Sequence, residues 1–166
     1  PSPRAPVKSS LTSILTRLGT AAASSKLGGI FYHQVSRRLD TVLIPLTGAR
    51  LSMGPPGNTV LITTTGAQSG KKRRASLAFL WDGDDMVIIA SKGGAPRHPG
   101  WYHNLKADPR VTVQHRGGVE ERVAREAVGK ERDKLYERMD SVFLTFGPYQ
   151  RRASHRKIPV MVRSRE

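Results

Sequence analysis

From Asn58 onward the chain is written in short apolar runs of strand length, interrupted by two stretches of helical period. Residues 59–64 form a β-branched run, and residues 76–81 form a second after a basic turn. Asp82-Gly83-Asp84-Asp85 is a hairpin signal leading into residues 86–90, whose end (Val87, Ile88, Ile89, Ala90) has the continuous apolar character of a buried strand. Residues 111–115 alternate cleanly. Gly117-Gly118 then turns the chain into residues 120–128, again of strand character. The first helical stretch is short: Pro96 and Pro99 open it, residues 100–107 carry it, and Asp108-Pro109 ends it. The second covers residues 129–146, where Leu135, Met139, Val142, Phe143 and Phe146 recur every three or four positions. Residues 157–163 close the pattern as a last strand, with Pro159 at its edge or start. Six short strands joined by hairpins and one insertion helix predict a mainly β, α+β fold: a split antiparallel β-barrel with an insertion helix, a late helix and an N-terminal helical arm.

The rest of the chain reads differently. Residues 1–40 form a basic, partly helical arm with two short amphipathic segments, 11–18 and 30–39, separated by Gly28-Gly29. A loosely packed arm or lid, a disordered tail, an interfacial membrane helix and an import presequence all fit it. Residues 41–57, with Pro45, Gly54, Pro55, Pro56 and Gly57, read as a linker or loop, and residues 58–166 as the barrel. No apolar run approaches the roughly 20 residues of a membrane span. The chain has no cysteine, which removes thiolate chemistry, disulfides and Cys-ligated metals and fits a cytoplasmic location. The 28 basic and 13 acidic residues leave a net charge of +15, a field that attracts polyanions.

Two motifs carry candidate chemistry. Ser91-Lys92-Gly93-Gly94 leaves a strand end as a small cationic turn whose backbone can approach a ligand and cradle an anion. The helix after it presents Trp101, Tyr102, His103 and Asn104. A flat aromatic surface beside an anion cradle suits a phosphorylated, ring-bearing cofactor, although Trp101 read alone is better placed in the core. The second motif runs from Thr63 through Gly66, Ser69 and Gly70 to Arg74; it lacks phosphate-loop spacing and reads equally as a phosphate holder or a solvated hairpin tip. The five histidines match no zinc template, so no metal site is expected, and no serine-hydrolase order is present. Aromatics make up 6% of the chain and do not interleave with the basic runs, which argues against nucleic acid as partner.

The residues Thr63-Thr64-Thr65-Gly66, Ser69-Gly70 and Arg73, then Leu77, Phe79-Leu80 and Asp82-Gly83, then Ala90-Ser91-Lys92-Gly93-Gly94, then Pro99, Trp101-Tyr102-His103-Asn104-Leu105-Lys106-Ala107, Pro109 and Val111, resemble the deazaflavin (F420)-dependent nitroreductase family of split β-barrel oxidoreductases. The resemblance covers residues 58–163. It implies that Ala67, Gln68, Ser69 and Arg73 face the phosphate and glutamate tail of coenzyme F420. It also implies that Arg74, Leu77, Ala78, Ile89, Ala90, Ser91, Lys92, Gly93, Gly100, Trp101, Tyr102 and Asn104 surround the deazaflavin and its ribityl chain. Ser91 and Tyr149 are then the candidate catalytic residues, one stabilising charge on the ring and the other orienting substrate or relaying a proton. Ala67 and Gln68 stand where the family often carries Arg or Lys, which moves a phosphate contact toward Lys71 or Lys72. Phe143, Phe146 and Tyr149 fall where relatives place substrate-facing tyrosines. The expected activity is hydride transfer from F420H2 to a small, hydrophobic, electron-poor substrate: a quinone, enone or nitroaromatic. The alternatives are an FMN-binding barrel of the same fold and a non-enzymatic basic barrel that binds nucleic acid or F420. A homodimer and an anionic membrane surface met by residues 1–40 are the expected partners.

Overall fold

A computed structural model describes residues 26–164. The chain divides into two compact units, Pro1–Val35 and Ser36–Glu166. Only the helical backbone of residues 26–35 is described in the first unit, so the expected helix over 11–18 lies outside the described residues. The helix α1, Lys26–Thr47, corrects two expectations. It runs through Gly28-Gly29 without a break, and it carries on past Asp40 and Pro45, so the first third of the supposed linker is helical. It stops at Gly48, where φ of +60° turns the chain and the Ala49 N–H reaches back 2.9 Å to the Ile44 carbonyl.

Seven strands follow: β1 (Thr59–Thr65), β2 (Lys72–Ala78), β3 (Leu80–Asp82), β4 (Asp85–Ile89), β5 (Arg110–His115), β6 (Gly118–Ala127) and β7 (Val160–Ser164). Between β4 and β5 lie the tight turn Lys92–Gly94 and helix α2, Gly100–Ala107. Helices α3, Gly129–Phe143, and α4, Phe146–Arg152, separate β6 from β7. Every pairing is antiparallel, in the order β2-β1-β5-β6-β7-β4-β3.

That order explains why one expected strand became two. β2 and β3 stand at opposite edges of the sheet yet are separated in sequence by Phe79 alone. The chain therefore passes directly from one edge to the other, which is geometrically feasible only if the sheet curls until its edges meet. Phe79 sits at that seam, buried, with its N–H donating to the Asn58 carbonyl and its own carbonyl accepting from Asn58 Nδ2. The result is the expected split β-barrel, with Val60, Ile62, Phe79, Met86, Ile88, Val111, Val113 and Met161 filling its interior.

A second core lies outside the barrel, between β4 and β7 on one side and α3 and α4 on the other; Val87, Ile89, Leu135, Met139, Phe146, Ile158 and Val162 build it. The expected single late helix is split because Leu144 adopts a left-handed conformation, φ +52°, with its N–H bonded to the Asp140 carbonyl at 2.7 Å. The Asp140 carboxylate then accepts the Gly147 N–H at 2.7 Å and starts α4. On the outer face, the later turns of α1 meet β2 and β5, where Gln114 Nε2 donates to the Ile44 carbonyl at 3.5 Å. Asp40, 2% exposed, accepts from Ser76 Oγ at 2.8 Å and from the Met53 N–H at 2.6 Å, and Ile44 is buried beside it.

Candidate functional site

The glycine turn after β1 is tied to the insertion helix by a residue on α2. Asn104 Oδ1 accepts the Ala67 N–H at 3.1 Å, while its Nδ2 donates to Thr64 Oγ1 at 3.0 Å. One side chain thus fixes the 66–71 turn to the insertion helix, and its amide is spent in doing so. The turn itself is closed by the Gly66 N–H to Lys71 carbonyl bond, 2.9 Å, and the Gly70 N–H to Gly66 carbonyl bond, 2.8 Å. A β-carbon at Gly66 would lie 2.7 Å from Ser69 Oγ and 3.1 Å from the Lys71 carbonyl oxygen, so a side chain there would crowd the turn. Ala67, Gln68, Ser69, Lys71, Lys72, Arg73 and Arg74 are all exposed at this corner.

The cations do not share one face. They lie on β2 rather than in the turn, and side chains alternate along a strand. Arg73 pairs in register with Thr64 and stands on the α2 side of the sheet. Lys72 and Arg74 pair with Thr65 and Thr63 and stand on the outer side, where Lys72 Nζ meets Thr65 Oγ1 at 3.3 Å. A polar cleft of about 240 Å³ opens on that outer side, lined by Thr63, Thr65, Lys72, Asp108, Arg110, Thr112 and Glu121. Its groups largely satisfy one another: Arg110 grips Asp108, and Thr112 donates to Glu121 at 2.7 Å. Arg73 and Arg74 form no ion pair among the described residues, so Arg73 is the cation best placed to meet an anion beside Asn104.

The second loop is strained and held from behind. Lys92, Gly93 and Gly94 have φ of +48°, +65° and +77°, three left-handed residues in a row. Their position is set by groups far along the chain. Arg152 donates to the Gly93 carbonyl at 2.7 Å. Arg156 donates to the Ala95 carbonyl through Nε and Nη2, 3.1 and 2.9 Å, and to the Ser91 carbonyl through Nη2, 3.0 Å. His155 Nε2 lies 2.9 Å from the Pro96 carbonyl. With its carbonyls captured on the α4 side, the turn leaves the N–H groups of Lys92 and Gly93 without acceptors among the described residues. The Ser91 side chain, 8% exposed, makes no capping bond. The tight glycine turn expected from the sequence is present, and the arginines that hold it carry no local sequence signal.

Tyr149 belongs to the same assembly. α4 approaches so closely that a β-carbon at Gly94 would lie 2.6 Å from the Tyr149 carbonyl oxygen. The Ser91 turn and Tyr149, 58 residues apart by number, therefore meet through Gly94. The Tyr149 ring packs edge-on against Phe146, with centroids 6.1 Å apart, and burial raises its phenol above the usual range while the nearby Arg152 opposes that shift.

Several expected ring contacts take other places. Trp101 is 6% exposed and packs into the barrel core with Leu105, so it supports the site from beneath and offers no open stacking face. Ile89 and Ala90 are likewise buried, whereas Leu77 and Ala78 are half-buried and Gly100 is exposed at the start of α2. The Tyr102 hydroxyl donates to Glu126 Oε2 at 2.9 Å, and burial and that carboxylate push its pKa up to about 12. A phenol so engaged is no proton donor near neutrality. Its ring rests instead against His98, with centroids 4.7 Å apart. His98 Nδ1 accepts from Arg156 Nη1 at 3.0 Å, which requires the neutral imidazole. Burial, the Arg156 charge and His103 hold its pKa below the ordinary 6.5.

The family model described as F420H(2)-dependent quinone reductase matches residues 34–165. The chain belongs to this family. An F420H(2)-dependent quinone reductase of Mycobacterium tuberculosis is 52% identical over 66 residues, covering 40% of this chain and 43% of that protein. This chain therefore spans less than half the length of that relative. A putative F420H(2)-dependent quinone reductase of the same organism is 30% identical over 109 residues, 64% of this chain and 89% of the relative. Among solved structures, an F420-H2 dependent reductase is 41% identical with a TM-score of 0.59, covering 64% of this chain and 94% of that chain. A chain described as a domain-swapped dimer is 36% identical with a TM-score of 0.63, covering 76% and 94%. The family and these neighbours agree with the split barrel described above.

Proposed function

We propose that this family member binds coenzyme F420 beside the 66–74 corner, the insertion helix and the Ser91 turn, and uses its reduced form to reduce a quinone-type acceptor. The observation that carries this reading is the Asn104 bridge, which places the exposed 66–74 corner and the insertion helix in one surface. The residues fit the cofactor's chemistry. Arg73 and the N–H groups of the Ser91 turn supply positive potential for a phosphodiester and carboxylates, and the half-buried Leu77 and Ala78 supply an apolar wall. Bound there, the reduced deazaflavin would supply a hydride to an electron-poor ring.

The chain's own contribution is positioning and exclusion of water. Arg152 and Arg156 fix the cradle, Gly94 lets α4 close on it, and Tyr149 stands with its phenol protonated at the edge of that closure. The Tyr149 hydroxyl orients the acceptor or delivers its proton. The test is oxidation of F420H2 by a panel of naphthoquinones, enones and nitroaromatics, with Tyr149→Phe alongside. The expected result is preferred turnover of quinones and a lower kcat for the variant with unchanged F420 affinity. Turnover unaffected by the substitution would remove Tyr149 from the mechanism.

The similarity to a domain-swapped dimer supports a homodimer, as does an exposed apolar face of Leu39, Val42 and Leu46 on α1, continued by Leu51 and Met53. No helix among the described residues is long and apolar enough to cross a membrane. Contact with an anionic membrane surface is assigned to residues 1–40 on the strength of their basic charge, in a protein that works in the cytoplasm. Liposome co-sedimentation with and without those residues tests it, and equal sedimentation would refute it.

A further inference from the structure

The barrel interior holds two arginines that the proposed reaction does not use. Arg163 on β7 is two residues beyond Met161 and shares its inward face; its register neighbours, Met86 on β4 and Ala124 on β6, both belong to the interior cluster. Its exposure is 0%. Arg122 on β6, 2% exposed, points to the same end of the barrel. Arg122 is well supplied with partners: the Asp84 and Arg163 carbonyls at 2.7 and 2.9 Å, Glu120 at 3.0 Å and the face of Trp81 at 5.0 Å. Arg163 is not. Its one side-chain hydrogen-bond partner among the described residues is the Met86 sulfur, 3.9 Å from Nη1.

The unpaired atoms form a pattern. Arg163 Nε and Nη2 have no hydrogen-bond partner among the described residues, nor does Arg122 Nε. Nε and Nη2 are the two donors along one edge of a guanidinium, the edge that grips an anion with two parallel bonds. The charge count agrees. Of the two buried guanidiniums only Arg122 meets a carboxylate, Glu120, which His115 Nε2 also contacts at 2.9 Å. Burial and the Arg122 charge lower the Arg163 pKa to about 9, which still leaves it protonated at neutral pH. A buried, unpaired cation is strongly unfavourable, so the compensating charge has to come from outside the described residues.

We infer that the closed end of the barrel is a binding site for one small monovalent anion, chloride in class, held by the free edge of Arg163 beside Arg122. The site is built from strand residues remote in sequence from the cofactor loops, so it is independent of the proposed reductase activity.

The experiment is thermal unfolding of the full chain in sodium chloride and in sodium gluconate at equal ionic strength, the bulky gluconate serving as the reference anion. A sodium formate arm separates a halide from a planar carboxylate. A bound anion predicts an upward shift of Tm that saturates with chloride and is absent in gluconate. Arg163→Met, which matches the neighbouring Met86 and Met161, is expected to abolish that shift and to exceed the wild type in Tm when both are in gluconate. A bromide-soaked crystal of the wild type, which does not depend on the variant folding, should show an anomalous peak within hydrogen-bond distance of Arg163 Nε and Nη2. Equal Tm in chloride and gluconate, a chloride shift retained by Arg163→Met, or no bromide peak at Arg163 would each overturn the site.

Discussion

Replacing Gly94 by alanine tests how α4 and the Ser91 turn are joined. Two costs follow from the structure. A β-carbon at φ +77° is worth about 1–2 kcal/mol against the left-handed conformation. The same carbon would lie 2.6 Å from the Tyr149 carbonyl oxygen and 2.9 Å from Arg152 Cβ, so α4 has to retreat, a further cost of about 1–3 kcal/mol for overpacking. The sum, about 2–5 kcal/mol, is a large share of the 5–15 kcal/mol that typically holds a domain folded. Gly93 provides the internal control, since its φ is +65° but nothing lies within 4 Å of an added β-carbon. Gly93→Ala should cost only the first contribution, about 1–2 kcal/mol. Urea unfolding of both variants, with m unchanged, measures the difference. Gly94→Ala should also lower quinone turnover more than Gly93→Ala, because it moves Tyr149 away from Ser91. If Gly94→Ala proved no more destabilising than Gly93→Ala, the close packing of α4 on the cradle would be refuted.

Other outcomes follow from the same contacts. Asn104→Ala removes the bonds to Ala67 and Thr64 and should destabilise by about 1–2 kcal/mol while weakening F420 binding; an unchanged titration would show that the bridge does not shape the site. Arg156→Gln frees the Ser91 and Ala95 carbonyls and should lower both Tm and turnover, and Arg156→Lys should not restore them, because one ammonium cannot replace the guanidinium fork. His98 has a folded pKa below 6.5, so the unfolded chain binds more protons below that value. Its contribution to stability is present above pH 6.5 and is lost as pH falls toward the folded value. His98→Gln should therefore show a shallower acid decline than the wild type in paired denaturation series, whereas parallel curves would contradict the assignment.

Much of this fold was legible because its signals are local. β-Branched and apolar runs of strand length marked the strands, Asp82-Gly83-Asp84-Asp85 marked a hairpin that closes with Asp82 opposite Asp85, and Pro99 and Asp108 bracket α2 where expected. What was missed depends on partners distant in sequence. Phe79 looks like the middle of one strand, and only the pairing of β2 with β1 and of β3 with β4 makes it the seam. Gly28-Gly29 and Pro45 read as breaks, yet both fall within α1, whose later turns are held by the buried Asp40 and Ile44. In the site, the loop glycines announced a cradle, but Arg152 and Arg156 look like two more charges in a basic tail. Trp101 is core, as its own residue reading indicated, and the family resemblance alone had set it against the ring. The +15 charge is also less of a surface property than it looks, since Arg122, Arg132 and Arg163 are buried.

A fluorescence titration of the protein with F420, repeated with FMN as competitor and at rising salt, bears most directly on the proposed cofactor site. Saturable binding at micromolar concentration or tighter, weakened by salt and by Arg73→Ala and not displaced by FMN, is the predicted result. Absence of F420 binding, or its displacement by FMN, would contradict it.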